Sequence, residues 1–546
     1  MRFAREWTSI LFFLAAVLLL CCQSKQKADL ILHHGKVYTV DSAFTVSQAF
    51  AVSDGKIISV GSNEEILNNY KAEEVIDAGG KTVYPGFIDA HVHFVWYGQS
   101  LFTVDLVGSS SFEEVIGRVK TFHKKHPDAK IIEGRGWDQN NFAVKQFPSN
   151  EMLNAEFSNI PVILHRIDAH ALLANQKALE LARIQPNQKI SGGEIIVKNG
   201  KLTGLLIDNA VTLLLNVLPK PTRVEYETWL TAAEAKCFEY GITTVTECGL
   251  DFEEVQRIDS IQKEGKLNMR LYVMLWDKKK NYDYFLPKGP YKTDKLFVKG
   301  FKVLADGALG SRGACLLNAY EDKPGWKGFL LRSPQHFDSV ASLLSTTEFQ
   351  MCTHAIGDST NRLILQTYNK CLKGKNDKRW RIEHAQIISK NDFDLFGSAS
   401  IIPSVQPTAA ISDMPWAKDR VGEVSMRGGY AYKQLLAQNN WIALGTDFPV
   451  DDLNPIKTFY SAVFRKDAKG FPADGFQSQN ALSRREALMG MTLWAAKAGF
   501  LEKEIGSIEA GKDADFVILD TDLMEAEEEK VLLSRVLFTY SRGIKR

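Results

Sequence analysis

The stretch Pro85-Gly-Phe-Ile-Asp-Ala-His-Val-His93 places two histidines two positions apart, directly after an apolar run. On an extended backbone, residues i and i+2 project from the same face, so His91 and His93 can reach one cation. Four further polar residues follow at wide intervals, each ending or following an apolar run of strand length. They are Lys302 in Phe297-Val-Lys-Gly-Phe-Lys302, His354 in Cys352-Thr-His354, His384 in Arg381-Ile-Glu-His384 and Asp447 in Ala443-Leu-Gly-Thr-Asp447. Each has an ordinary reading by itself: a hydrogen-bonded core histidine, or an aspartate in a turn. An ordered series of four histidines, a lysine and an aspartate, all at strand ends, points instead to a metal centre.

Composition excludes several other classes. The chain has 546 residues with 66 Lys+Arg against 65 Asp+Glu, a net charge of +1. That balance leaves no basic footprint for nucleic acid, so the expected partner is a small-molecule substrate; self-association into a homo-oligomer stays open. There is no HExxH of a zinc protease and no GxSxG of a serine hydrolase. Besides Cys21 and Cys22, the five cysteines are far apart and form no CxxC pair, which argues against a disulfide framework.

The N-terminus reads as a targeting segment. Arg2 and Arg5 precede an apolar run from Ile10 to Leu20, followed by Cys21-Cys22. The run is shorter than the ~20 residues of a spanning helix and fits a signal-peptide core. Residues 1–22 are therefore expected to be a lipoprotein-type signal, with Cys22 lipidated (Cys21 being the alternative) and the protein exported and held on a membrane.

Strand-like runs fill residues 29–86, with Asp54-Gly55 as a hairpin turn, and short runs return near the C-terminus. Between them, apolar strands alternate with amphipathic stretches, the pattern of a (β/α) barrel. Spacing tests that pattern, because a barrel uses roughly 31 residues per βα unit. His354 and His384 are 30 residues apart, one unit. His93 and Lys302 are 209 apart, where three units need only ~95. An insertion over about 105–225 accounts for the excess. It contains Glu133-Gly-Arg-Gly-Trp-Asp-Gln-Asn140.

Taken together, the HxH pair, Lys302-Val-Leu-Ala-Asp-Gly-Ala-Leu-Gly-Ser-Arg312, His354-Ala-Ile-Gly-Asp358, Glu383-His-Ala-Gln386 and Asp447 resemble the amidohydrolase superfamily. Gly134-Arg-Gly-Trp-Asp138 resembles the subgroup that includes N-substituted formamide deformylase. The resemblance implies an α/β fold: a (β/α)8 TIM-like barrel over 87–502, with the insertion after its first strand. It also implies a small β-sandwich made from both chain ends, 29–86 and 503–546. His91, His93, His354 and His384 would hold one or two divalent ions, Zn²⁺ being the expected one. Lys302 would be carbamylated and bridge two ions, or else pair with Asp306 or a substrate carboxylate over a single ion. Asp447 would be a metal ligand and would take a proton from the attacking water and pass it to the leaving nitrogen.

Trp137 and Asp138 are candidate substrate contacts in a lid, Asp306 shares the strand face of Lys302, and Gln406 ends the seventh strand. Glu383, next to a ligand on a strand, is expected to point outwards. The activity expected is hydrolysis of a non-peptide C–N bond in a small amide, N-acyl or N-formyl amine. A metal-dependent ester or lactone hydrolase is the alternative, and a non-catalytic ligand-binding lipoprotein is another.

Overall fold

The computed structural model describes residues 25–546; the signal segment and Cys22 lie outside the described residues. Its centre is a barrel of eight parallel strands in chain order: β1 (Phe87–Val92), β2 (Ile242–Leu250), β3 (Arg270–Trp276), β4 (Leu296–Leu304), β5 (Gln350–Ala355), β6 (Arg381–His384), β7 (Ile402–Val405) and β8 (Ala443–Leu444). Every residue of β1, β2 and β5 is buried. Strands enclosed on both faces need near-continuous apolar or β-branched residues rather than alternation, and Ile-Thr-Thr-Val-Thr in β2 supplies them. The intervening helices start on sequence signals: Thr222 and Glu225 form a capping box for the helix Arg223–Glu239, and Ser333-Pro334 opens Pro334–Ser345.

The barrel closes between β8 and β1 by unusual means, because β8 has two residues only. Just past the strand ends, Asp447 N donates to the His91 carbonyl (2.8 Å) and His93 N to the Phe448 carbonyl (2.9 Å). Below them, Asp89 replaces part of the missing ladder. Its carboxylate accepts from Thr446 N (3.0 Å), Thr446 Oγ1 (2.7 Å) and His91 N (3.2 Å). Gly445 makes this approach possible, since a Cβ there would lie 2.6 Å from the His91 nitrogen.

Two further layers come from both chain ends. A four-stranded sheet contains Gln26–His33 and Ala49–Ser53. A six-stranded sheet interleaves Lys36–Tyr38 and Thr82–Pro85 with Phe516–Leu519 and Val536–Ser541. They share a core in which the rings of Phe50 and Phe516 meet edge-on at 5.0 Å. Arg270 of β3 pairs with Asp513 and Asp515, tying this layer to the barrel.

Between β1 and β2 stands a six-stranded mixed sheet. Its strands run from Val104–Asp105 to Lys201–Asp208. Both faces are covered: Phe112–Lys125 packs on one, and Gln176–Leu181 with Val211–Leu215 on the other. The insertion therefore carries a core of its own.

Candidate metal centre

The barrel architecture delivers the sequence-selected candidate residues to one place, at the C-terminal ends of the strands. His91 lies in β1, Lys302 in β4 and His354 in β5, His384 ends β6, His93 immediately follows β1, and Asp447 comes three residues after β8. His91 Nε2 is 3.6 Å and His93 Nε2 3.5 Å from Asp447 Oδ1, and His384 Nδ1 is 3.9 Å from Asp447 Oδ2. The ring of His384 lies 4.8 Å from that of His91 and 4.5 Å from that of His354. Lys302 Nζ approaches His91 Nε2 to 3.2 Å.

These side chains have the chemistry of a cation site. One donor atom each from His91, His93 and Asp447 lies within 4.8 Å of the others. Two buried polar atoms of the cluster, His354 Nε2 and Asp447 Oδ1, have no hydrogen-bond partner. Such atoms cost roughly 1–3 kcal/mol each if left unsatisfied, and a divalent ion would satisfy both. Burial, reinforced by Lys302, keeps His91 well below the ordinary histidine pKa and lowers His93 to about 3; burial and the neighbouring His384 keep His354 low. All three present the neutral lone pairs a metal requires. Burial pushes the Asp447 carboxyl up to about 8, against the pull of Lys302; a dication beside it would restore the carboxylate.

The ring orientations are fixed from behind. His91 Nδ1 lies 2.5 Å from Glu383 Oε2, so Nδ1–H donates and Nε2 keeps its lone pair toward the cluster. His384 Nδ1 lies 2.8 Å from Gln406 Oε1, which leaves its Nε2 free in the same way. Backing of this kind sets tautomer and aim in metal-binding histidines.

Several expectations need correction here. Glu383 points into the barrel and is fully buried. Strict alternation fails because the strand ends in left-handed residues, His384 (φ 71°) and Ala385 (φ 42°). That turn swings His384 back over the barrel mouth while Glu383 keeps the inward position. Gln406, expected at the end of the seventh strand, turns its Oε1 to His384. Asp306, expected beside Lys302 or a substrate, is fully buried and accepts from the backbone N–H groups of Cys315, Ile356 and Gly357. It therefore organises the loops after β4 and β5. Trp137 is fully buried in the core of the insertion, its Nε1 donating to the Leu164 carbonyl at 2.8 Å. Asp138 is paired with the buried Arg166 at 2.5 Å. Trp137 is thereby committed to the insertion's core, while the Asp138 side chain keeps 13% exposure.

Sequence reasoning read the insertion as a lid but missed the residues that approach the cluster at the barrel mouth. The ring of His170 lies 5.1 Å from that of His354. Arg135 sits 4.9 Å over Trp96, which is 5.9 Å from His93. The available signal was His165-Arg-Ile-Asp-Ala-His170, four titratable residues at and just beyond the end of a buried strand.

The chain belongs to the amidohydrolase family, whose model matches residues 74–544. Protein LONG AFTER FAR-RED 3 of Arabidopsis thaliana is 32% identical over 94% of this chain and 91% of its own length. N-substituted formamide deformylase of Arthrobacter pascens is 25% identical over 95% of this chain and 98% of its own. Among solved structures, an uncharacterized metal-dependent hydrolase from Pyrococcus horikoshii OT3 superimposes with a TM-score of 0.75 at 27% identity. It covers 91% of this chain and 99% of that one. The TIM-like barrel and membership of a metal-dependent hydrolase family stand on these findings together.

Proposed function

We propose that this chain hydrolyses a non-peptide C–N bond in a small amide, N-acyl or N-formyl amine. The observation that carries the reading is the convergence of four neutral histidines, Lys302 and Asp447 at one end of the barrel. The similarity to a formamide deformylase supports the bond class. His91, His93, His354, His384 and Asp447 would hold one or two divalent ions, with Zn²⁺ suited to this donor set. A bound ion supplies a Lewis acid and lowers the pKa of a coordinated water towards ~7.

The chain's own residues do the rest. Asp447 stands beside both His91 and His93, where its carboxylate takes the proton released by the attacking water and returns it to the departing nitrogen. Its left-handed backbone (φ 62°) aims Oδ1 into the cluster, strain of a kind found at functional sites. Glu383 and Gln406 hold His91 and His384 in register. Lys302 is 1% exposed in a nest of imidazoles, a position that suits a carbamate better than an ammonium beside a dication.

The test is a panel of N-formyl and N-acyl amines with the matching esters, assayed with protein stripped of metal and reloaded with Zn²⁺. Metal-dependent release of amine is the expected result. Turnover of esters alone, or turnover indifferent to metal removal, would overturn the assignment. The signal pattern at Cys22 supports export and lipid attachment; Cys22→Ser together with Cys21→Ser should release the protein from the membrane fraction, and unchanged sedimentation would refute that anchor.

A further inference from the structure

The loop after β4, Asp306-Gly-Ala-Leu-Gly-Ser-Arg-Gly-Ala314, supplies no group to the metal cluster apart from the buried Asp306. Its glycines have another use. A Cβ at Gly307 or Gly313 would overlap the carboxylate of Asp208, and one at Gly310 would lie 2.6 Å from Nη1 of Arg166. Both partners belong to the insertion. The glycine spacing thus makes a socket into which the insertion seats Asp208 and Arg166. Asn209 adds a bond from Nδ2 to the Leu331 carbonyl at 3.1 Å.

What the socket positions is His170. Its Nδ1 lies 2.6 Å from Asp208 Oδ1, and Arg166 holds Asp168, two residues earlier, at 2.5 Å. The backbone carbonyl of His170 accepts from Asp208 N at 2.8 Å. Both sides of this clamp rest on left-handed residues, Ala169 (φ 63°) and Asp208 (φ 52°), a strain of order 1–3 kcal/mol each that the surroundings must over-determine. With Nδ1 committed to Asp208, the ring atom left for an external partner is Nε2. The imidazole ring lies 5.1 Å from that of His354. The histidine side chain retains 17% exposure while Asp208 is fully enclosed.

We propose that His170, braced by Asp208, is a substrate-contacting residue that the insertion places over the metal cluster, where Nε2 hydrogen-bonds the oxygen of the scissile acyl group. This rests on the hydrolase reading above. The insertion is on this view part of the active site: it completes the recognition of the acyl oxygen and shuts the barrel mouth. A substrate's acyl end is bound between barrel and insertion, and its amine end faces away from His170.

The experiment titrates Zn²⁺-loaded protein with methylphosphonate, a tetrahedral oxyanion, by calorimetry, and reads metal content in parallel. His170→Phe should weaken methylphosphonate by about 10- to 100-fold, the range of one hydrogen bond to a charged group, with metal content unchanged. Asp208→Asn, which keeps the volume, should weaken it in the same direction and by less; it decides the matter if His170→Phe does not fold. Unchanged affinity in the folded variants overturns the proposal and leaves the pair a docking strut. Loss of metal with His170→Phe also overturns it, by making His170 a ligand. Wild-type protein that holds no metal would instead refute the hydrolase reading itself, so the two failures are separable.

Discussion

Asp447→Asn lowers kcat by about 10²- to 10⁴-fold, the range expected when one proton-transferring group is removed, while Zn²⁺ stays bound. Asparagine keeps the shape and the left-handed turn but can neither take a proton nor return one. The neighbouring imidazoles remain: His91 and His93 flank Oδ1 at 3.6 and 3.5 Å, and His384 lies 3.9 Å from Oδ2. Steady-state rates with metal content measured on the same sample separate the two effects. A variant that retains wild-type turnover would remove Asp447 from the chemistry. One that loses metal and activity together would reduce it to a ligand.

Glu383→Gln has the largest expected effect on stability. The carboxylate faces His91 at 2.5 Å and lies 2.6 Å from Nε of Arg381, with both partners fully buried. Arg381 also donates to the Ala90 carbonyl and Ser404 Oγ at 2.6 and 2.7 Å, which fastens β6 to β1 and β7. Neutralising Glu383 strands a guanidinium in the barrel interior, and breaking a buried pair in this way costs roughly 3–5 kcal/mol. His91 loses the acceptor that fixes its tautomer, so metal affinity should fall by about 10- to 100-fold. Urea unfolding and a chelator competition measure the two losses. Wild-type values in both would show that Glu383 is a spectator.

The contrast between these residues shows what a sequence discloses about such a site. His91, His93, Lys302, His354 and Asp447 were legible because each lies at or just beyond the end of an apolar strand, where a parallel barrel gathers its side chains. The 30-residue step from His354 to His384 gave the adjacency of β5 and β6. Glu383 was misread because the parity argument assumes an unbroken strand, and β6 ends in left-handed residues. Asp306 and Gln406 were correctly placed near the site, but their partners were invisible: both are committed to groups, the loop amides and His384, that only folding brings near. Trp137 belongs to the insertion's interior and Asp138 pairs with Arg166, and nothing in the local pattern Gly134-Arg-Gly-Trp-Asp138 distinguishes a lid contact from a core residue. His170 and Asp208 were missed for a different reason. Their meeting depends on strand pairing across the insertion, a tertiary contact with no local signature.

Elemental analysis of purified protein lacking residues 1–22, reconstituted with Zn²⁺ and compared with Lys302→Ala, tests the central claim most directly. A bridging carbamate on Lys302 predicts about two divalent ions per chain, falling to one or none when Lys302 is replaced. A single ion unaffected by the substitution would contradict the carbamate and leave a mononuclear hydrolase. No stoichiometric ion in the wild-type protein, even after reconstitution, would contradict the metal centre itself.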